Sequence, residues 1–207
     1  MTRHLAGITL DNLGDLPERC RSCVFWERGP VAADRSAGRG AAQDRAAAKE
    51  SWVSSLLLDW GSCGKIAYVD SDPAGYVLFA PPAYVPRSVS FPTSPVAGDA
   101  ALLMTVRVLP EFSGAGIGRL LVQGVVKDLL HRGIRAVEAF GDAAYVGGGC
   151  LVPADFLLAV GFKTVRAHPR YPRLRLELRN VLTWKEDVEV ALERLLGMAG
   201  EPTLRPV

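Results

Sequence analysis

Three glycines at alternate positions, Gly114, Gly116 and Gly118, punctuate the run Val106-Arg107-Val108-Leu109-Pro110-Glu111-Phe112-Ser113-Gly114-Ala115-Gly116-Ile117-Gly118-Arg119. A turn of this composition between a strand and a helix is suited to hold phosphate. The start of a helix leaves backbone N–H groups without partners and carries the positive end of a dipole, and glycine removes the side chains that would keep an anion off the main chain. A pyrophosphate-bearing ligand is therefore expected at Ser113, Gly114, Ala115, Gly116, Ile117, Gly118 and Arg119. Spacing separates the phosphate motifs that compete for these glycines. A P-loop would end in Gly-Lys-Ser/Thr, whereas Gly118 is followed by Arg119 and Leu120. The dinucleotide fingerprint needs a third glycine three residues after the second. Counted from Gly114 and Gly116, that place holds Arg119, and only Glu138 loosely meets the need for an acid further on.

The segment Val108-Leu109-Pro110 followed by Gly116-Ile117-Gly118-Arg119 resembles motif A of the GNAT-type N-acetyltransferases. In that motif a strand ending in Val-x-Pro runs into Arg/Gln-x-x-Gly-x-Gly/Ala and then a helix. Ser113 stands where the family usually has Arg or Gln, so one phosphate-facing contact is expected to be lost and cofactor affinity weakened. The resemblance implies acetyl-CoA, or another acyl-CoA, as cosubstrate and a small-molecule or protein amine as acceptor. It also implies an α/β (α+β) fold, a mixed central sheet flanked by helices whose central parallel strands splay apart to admit the cofactor.

The elements needed to position such a turn are visible from about Gly64 to Leu178. Gly64 to Asp70 and Ala74 to Ala80 are apolar runs separated by Asp70-Ser71-Asp72-Pro73, a hairpin signal. Ala100 to Leu109 reads as the central strand and Ile117 to about His131 as a helix, with Leu121, Val122, Val125, Val126 and Leu129 off the stripe of Arg119, Gln123, Lys127 and His131. Gly133 stops it. Arg135 to Gly141 follows as a strand parallel to Ala100–Leu109, joined by a right-handed crossover. Pro153 to Phe162 resembles the later helix of the family, and strands are expected over Lys163–Arg166 and Arg173–Leu178. Ile8 to Pro17 resembles the first strand and helix start of many acetyltransferases. Residues 33–48 and 81–97 read as loops, the latter holding Pro81, Pro82, Pro86, Pro92 and Pro95. A helix is expected from Ala46 on the spacing of Trp52, Leu56 and Trp60, packing into the core rather than binding substrate. Thr183-Trp184-Lys185-Glu186 forms a capping box for a further helix. The division expected is an acyltransferase domain over 1–180 and a C-terminal helix and tail over 181–207, packed on the domain or on a second copy of the chain as a homodimer.

Acyl transfer requires a neutral amine, a polarised thioester carbonyl and a proton for the leaving thiolate. The resemblance assigns carbonyl polarisation to the main-chain N–H groups of the splayed central strand around Val106 and Val108. How much base the amine needs depends on the acceptor: a lysine amine is neutral in about one part in 2,500 at pH 7, an α-amine in over a tenth. Relatives often protonate the thiolate with a tyrosine four residues before the Gly-Phe pair; here that place holds Leu157. Asp142 is the nearest acid that could hold a water or the amine, or simply cap its loop. Tyr145 and Cys150 could replace the missing acid, and Cys150 could alternatively accept the acyl group. Tyr84, Arg87 and Phe91 in the proline segment, with His168 and Tyr171 in the last strand connection, are candidates for the acceptor side or for structural cover.

Composition restricts the remaining options. The 207 residues are 49% hydrophobic, enough for a real core, and a net charge of +2 argues against nucleic acid. No apolar run reaches the roughly 18 residues a membrane helix needs, and the N-terminus does not read as a signal peptide, so a cytoplasmic protein without membrane contact is expected. Cys20-Arg21-Ser22-Cys23 is a Cys-x-x-Cys pair, while Cys63 and Cys150 read as solitary. Zinc would want two further ligands and redox chemistry a thioredoxin-like unit, so no metal is expected and the pair reads as small, half-buried thiols.

Overall fold

A computed structural model describes residues 2–29, 41–147 and 149–178 of the chain. The described strands are β1 Arg3–Gly7, β2 Gly64–Val69, β3 Asp72–Ala80, β4 Ala100–Val108, β5 Ala136–Asp142, β6 Val152–Pro153, β7 Lys163–Arg166 and β8 Arg173–Glu177. The helices are α1 Glu18–Arg21, α2 Ala41–Asp59, α3 Ile117–His131 and α4 Ala154–Ala159. The sheet runs β1-β2-β3-β4-β5-β8-β7, with β6 paired to β5. Its pairings are antiparallel except β4 with β5 and β5 with β6. This is the mixed sheet flanked by helices that the motif order implies.

The β2–β3 hairpin turns on two residues, Asp70 and Ser71, with φ of 49° and 82°. Both central positions at positive φ are what the right-handed twist of paired strands demands of a two-residue loop, and Ser71 holds the place glycine usually takes. Ser71→Gly should therefore raise stability by about 0.5–1 kcal/mol, or a Tm gain of about 1–4 °C, as read by thermal unfolding.

The core lies on both faces of the sheet. On one, Leu121, Val122, Val125, Val126 and Leu129 of α3 pack with Ala67, Val77, Phe79, Leu103 and Val137. On the other, Val53 and Leu56 of α2 join Trp26, Tyr76, Leu102, Met104, Phe91 and Phe140. The aromatics of α2 and of the residue that follows it serve packing, as their spacing indicates: Trp60 sits edge-on to Phe79, and the Trp52 indole N–H donates to the Tyr84 carbonyl at 2.8 Å. Helix α3 closes on Gly133 at φ 70°, where the Gly133 and Ile134 amides donate to Leu130 and Leu129. That pattern satisfies the orphan carbonyls of the last turn.

Several expectations are corrected. The first strand is Arg3–Gly7, not Ile8 onward: it is an edge strand held by main-chain pairing to β2, so it needs no apolar alternation. The chain then leaves the sheet at a turn closed by Asn12, whose side chain accepts from Thr9 N and donates to Gly7 O, each at 2.8 Å. Residues 41–48, read as loop, are the first turns of α2. Their alanines lack large apolar groups but are the strongest helix formers. The proline segment keeps only short 3₁₀ turns at Pro82–Tyr84 and Pro86–Ser90. The remainder of the 33–48 loop, residues 33–40, and the capped helix at Thr183 lie outside the described residues.

Candidate functional site

The site begins with one extra residue in β4. Leu78 of β3 faces Thr105 and Phe79 faces Leu103, which leaves Met104 as a bulge. A bulge bends its strand and reverses which face later side chains take. Leu103 thus shares a face with Val106 and Val108, both packed toward α3, while Met104 lies in the opposite core. Strands β4 and β5 pair only from Ala100 opposite Ala136 to Leu102 opposite Glu138. Beyond that they part, and the end of β5 pairs instead with Val152 and Pro153 of β6.

The cleft so opened is walled by Val106, Arg107 and Val108 on β4 and by Gly118 in the first turn of α3. Tyr145, Pro153 and Phe156 close its other side. The Leu109 amide donates to Ala74 O on β3 at 2.9 Å. Alternation along an extended chain then directs the amides of Val106 and Val108 away from β3, into the gap.

The glycine turn caps this cleft. Ser113 N and Ala115 N are used inside the turn, on Pro110 O and Phe112 O, and the first helical bond runs from Leu120 N to Gly116 O. The amides of Gly116, Ile117, Gly118 and Arg119 precede that bond and form the set of donors a helix start leaves unpaired. Gly114 and Gly116 hold φ of 76° and 77°, and a Cβ at either would meet nothing within 4 Å, so the main chain there is open to an approaching ligand. Gly118 serves a different purpose, since a Cβ there would stand 2.9 Å from the Phe156 ring and its bareness lets the cleft wall close. The exposed Ser113 side chain is at the turn, Arg119 reaches across to Ala159 O at 3.3 Å, and the Arg3 guanidinium donates to Ala115 O at 2.8 Å. The structure thus brings a cation from β1 beside the glycine turn, a contact across 112 residues with no local signal in sequence.

Tyr145 lies in the cleft and is 38% exposed. Asp142 ends β5 half-buried, with Oδ1 accepting from Ala144 N at 3.0 Å. Cys150 is not solitary: its Sγ lies 3.1 Å from that of Cys23, on the side of the sheet away from α3. Leu157 is fully buried. On the expected acceptor side, Phe91 is buried and stacks on Phe140 at 4.3 Å, with Tyr171 edge-on at 5.7 Å. His168 lies parallel to Tyr171, and its Nδ1 accepts from the Arg170 and Tyr171 amides. Tyr84 donates to Asp59, and Arg87 covers the Phe25 ring at 4.7 Å. Arg107 and Phe156, unmarked in sequence, are cleft walls. Glu138 is 2% exposed between Arg173 and Arg175, so it cannot act as the ribose-binding acid of a dinucleotide site.

Among the described residues, no group of three or more His, Cys, Asp or Glu could hold a metal, and no helix is long and apolar enough to cross a membrane. No curated protein matches the chain in sequence. Solved structures do match its fold. The PaiA N-acetyltransferase from Thermoplasma acidophilum, in complex with coenzyme A, aligns over 86% of this chain and 99% of its own, with TM-score 0.55 and 15% identity. YncA from Salmonella typhimurium, with its cofactor acetyl-CoA, covers 86% and 95%, with TM-score 0.54 and 14% identity. An N-acetyltransferase from Staphylococcus aureus Mu50 gives 86% and 99%, TM-score 0.54 and 14% identity. The acetyltransferase (GNAT) family model matches residues 31–145, more than half of the chain and the whole stretch from α2 through the glycine turn to Tyr145. By that match and by the parted strands beneath an open helix start, this chain belongs to the GNAT acetyltransferase family.

Proposed function

We propose that the protein transfers an acyl group from acetyl-CoA, or another acyl-CoA, to an amine by direct attack in a ternary complex. The observation that carries this reading is the open start of α3, where four adjacent amides precede the first helical bond and, among the described residues, meet no carbonyl, set beside the gap between β4 and β5. The turn fits a diphosphate because nothing fills the space a Cβ would take at Gly114 and Gly116. The bound acyl-CoA supplies an activated thioester. Gly116, Ile117, Gly118 and Arg119 would hold the diphosphate through main-chain N–H groups, with Ser113, Gly114 and Ala115 shaping the approach. The Val106 and Val108 amides, turned into the gap, would bond the carbonyl oxygen as it gains charge.

Tyr145 is the side chain in the cleft able to return a proton to the departing thiolate, a role that Leu157, wholly buried and apolar, cannot perform. Asp142 would orient the amine or its water through the oxygen not bonded to Ala144 N. The acceptor would enter from the side of Tyr84, Arg87, His168 and Tyr171, with Phe91 stiffening that wall from beneath. Cys150, hydrogen-bonded to Cys23, is the second candidate for proton delivery.

Calorimetry with acetyl-CoA and CoA release with a panel of amines test the reading. Binding without release under any acceptor would favour an acyl-CoA-binding module, the reading that buried Leu157 supports. Tyr145→Phe is expected to lower kcat about 10–100-fold while leaving acyl-CoA affinity within about twofold. Asp142→Asn keeps the cap to Ala144 N and removes only the charge. Parent-like kinetics in both variants would remove both assignments.

A further inference from the structure

Cys23 and Cys150 are 127 residues apart in sequence, yet their sulfurs lie 3.1 Å from one another and both residues are half-buried, within reach of a small solute. The two belong to different parts of the fold. Cys23 follows α1 in the N-terminal segment. Cys150 stands on the loop from β5 to β6, which also carries Tyr145 in the cleft and Gly149, whose carbonyl accepts from Arg107 at 3.1 Å. The Trp26 indole, three residues past Cys23, is 3.4 Å from Cys150 O and holds the loop against the segment.

The surroundings favour a thiolate at Cys23. The hydrogen bond with Cys150 lowers its pKa against the opposing effect of burial; the Phe25 amide and the Lys49 ammonium help, while Glu27 opposes. The same hydrogen bond and burial push the Cys150 thiol up, so it keeps its proton. A nucleophilic sulfur thus stands beside a protonated partner at hydrogen-bond distance, the arrangement of an attacking and a resolving thiol. Cys20 is the other thiol nearby, and it packs against the same core as buried Tyr76.

We propose that Cys23 and Cys150 are an oxidisable pair, a modification site where a hydroperoxide joins the N-terminal segment to the loop bordering the cleft through a disulfide. The Cys23 thiolate attacks one oxygen of the peroxide, the O–O bond breaks, and the other oxygen leaves and takes a proton as water, giving a sulfenic acid on Cys23. The Cys150 sulfur then attacks the Cys23 sulfur, the S–O bond breaks, and the departing hydroxide takes the Cys150 proton as a second water. Two thiols lose two electrons, and hydrogen peroxide is reduced to two waters. The sulfurs need close by only about 1 Å to reach the covalent distance of about 2.05 Å.

The test uses the full chain, reduced and then treated with a few equivalents of hydrogen peroxide, and reads mass rather than acyl transfer, so its outcome is independent of the proposed function. The expected result is a loss of about 2 Da reversed by dithiothreitol, with a non-reducing peptide map joining Cys23 to Cys150. Cys20→Ser should leave this unchanged. Cys150→Ser should arrest the reaction at a sulfenic acid that dimedone traps on Cys23. A Cys20–Cys23 link, a dimedone adduct confined to other cysteines, or an unchanged mass under peroxide would each overturn the proposal.

Discussion

Gly116→Val is expected to reduce acyl-CoA affinity at least about a hundredfold, a loss of about 2.7 kcal/mol in binding. Gly116 caps α3 at φ 77°, and the space where its Cβ would stand is empty. A branched side chain there projects into the region through which, on the proposed function, a diphosphate would reach the amides of Gly116 to Arg119. The same substitution also places a β-branched residue in the left-handed region, which costs about 1–3 kcal/mol of stability whatever binds. Gly133→Val separates the two effects. Gly133 sits at the other end of α3 at φ 70°, likewise with open space around it, so valine there meets a similar backbone penalty far from the turn. Both variants should lose a few degrees of Tm, and only Gly116→Val should lose acyl-CoA in calorimetry. Equal affinities in the two would show that the diphosphate does not lie on this turn.

The glycine turn was legible because its geometry is local. Helix-start amides, alternate glycines and a preceding strand lie within about a dozen residues, and each leaves its mark on residue type. The hairpin at Asp70-Ser71 and the body of α3 were legible for the same reason, their periodicity and turn chemistry being written in consecutive positions. What decides the cleft was not. Met104 is one apolar residue among apolar neighbours, and nothing in Leu102-Leu103-Met104-Thr105 says which of them β3 will leave unpaired. The bulge depends on how two strands meet, so it appears only once β3 and β4 are laid side by side. The Cys23–Cys150 approach and the Arg3 contact with the turn are likewise products of tertiary folding across more than a hundred residues. Sequence reading erred where main-chain pairing or intrinsic propensity outweighed hydrophobic pattern: at β1, an edge strand beginning with Arg3 and His4, and at the alanines opening α2.

The parting of β4 and β5 has its vertex at Glu138, and replacing that residue should be the most destabilising change predicted for the fold. Glu138 faces Leu102, the last pair before the strands separate. Its carboxylate is 2% exposed and accepts from Arg173 at 2.9 Å, Arg175 at 3.1 Å and the Ala97 amide at 3.2 Å. It thereby joins β5, β8 and the entry to β4. Glu138→Leu would leave two guanidinium groups, 15% and 14% exposed, facing an apolar side chain. Removing one partner of a buried ion pair costs about 3–5 kcal/mol, and the lower end applies because Arg175 retains Asp99 and Glu177. A loss of about 3 kcal/mol corresponds to a Tm drop of about 6–12 °C for a chain of this size. Glu138→Gln, which keeps the shape and one acceptor, should fall between parent and leucine variant. Replacing Arg173 by leucine together with Glu138→Leu should recover part of the loss, because fewer stranded charges remain. A Glu138→Leu protein melting within about 2 °C of the parent would mean that the arginines find water at the sheet's rim, and that the vertex is held by Ala100–Leu102 pairing alone.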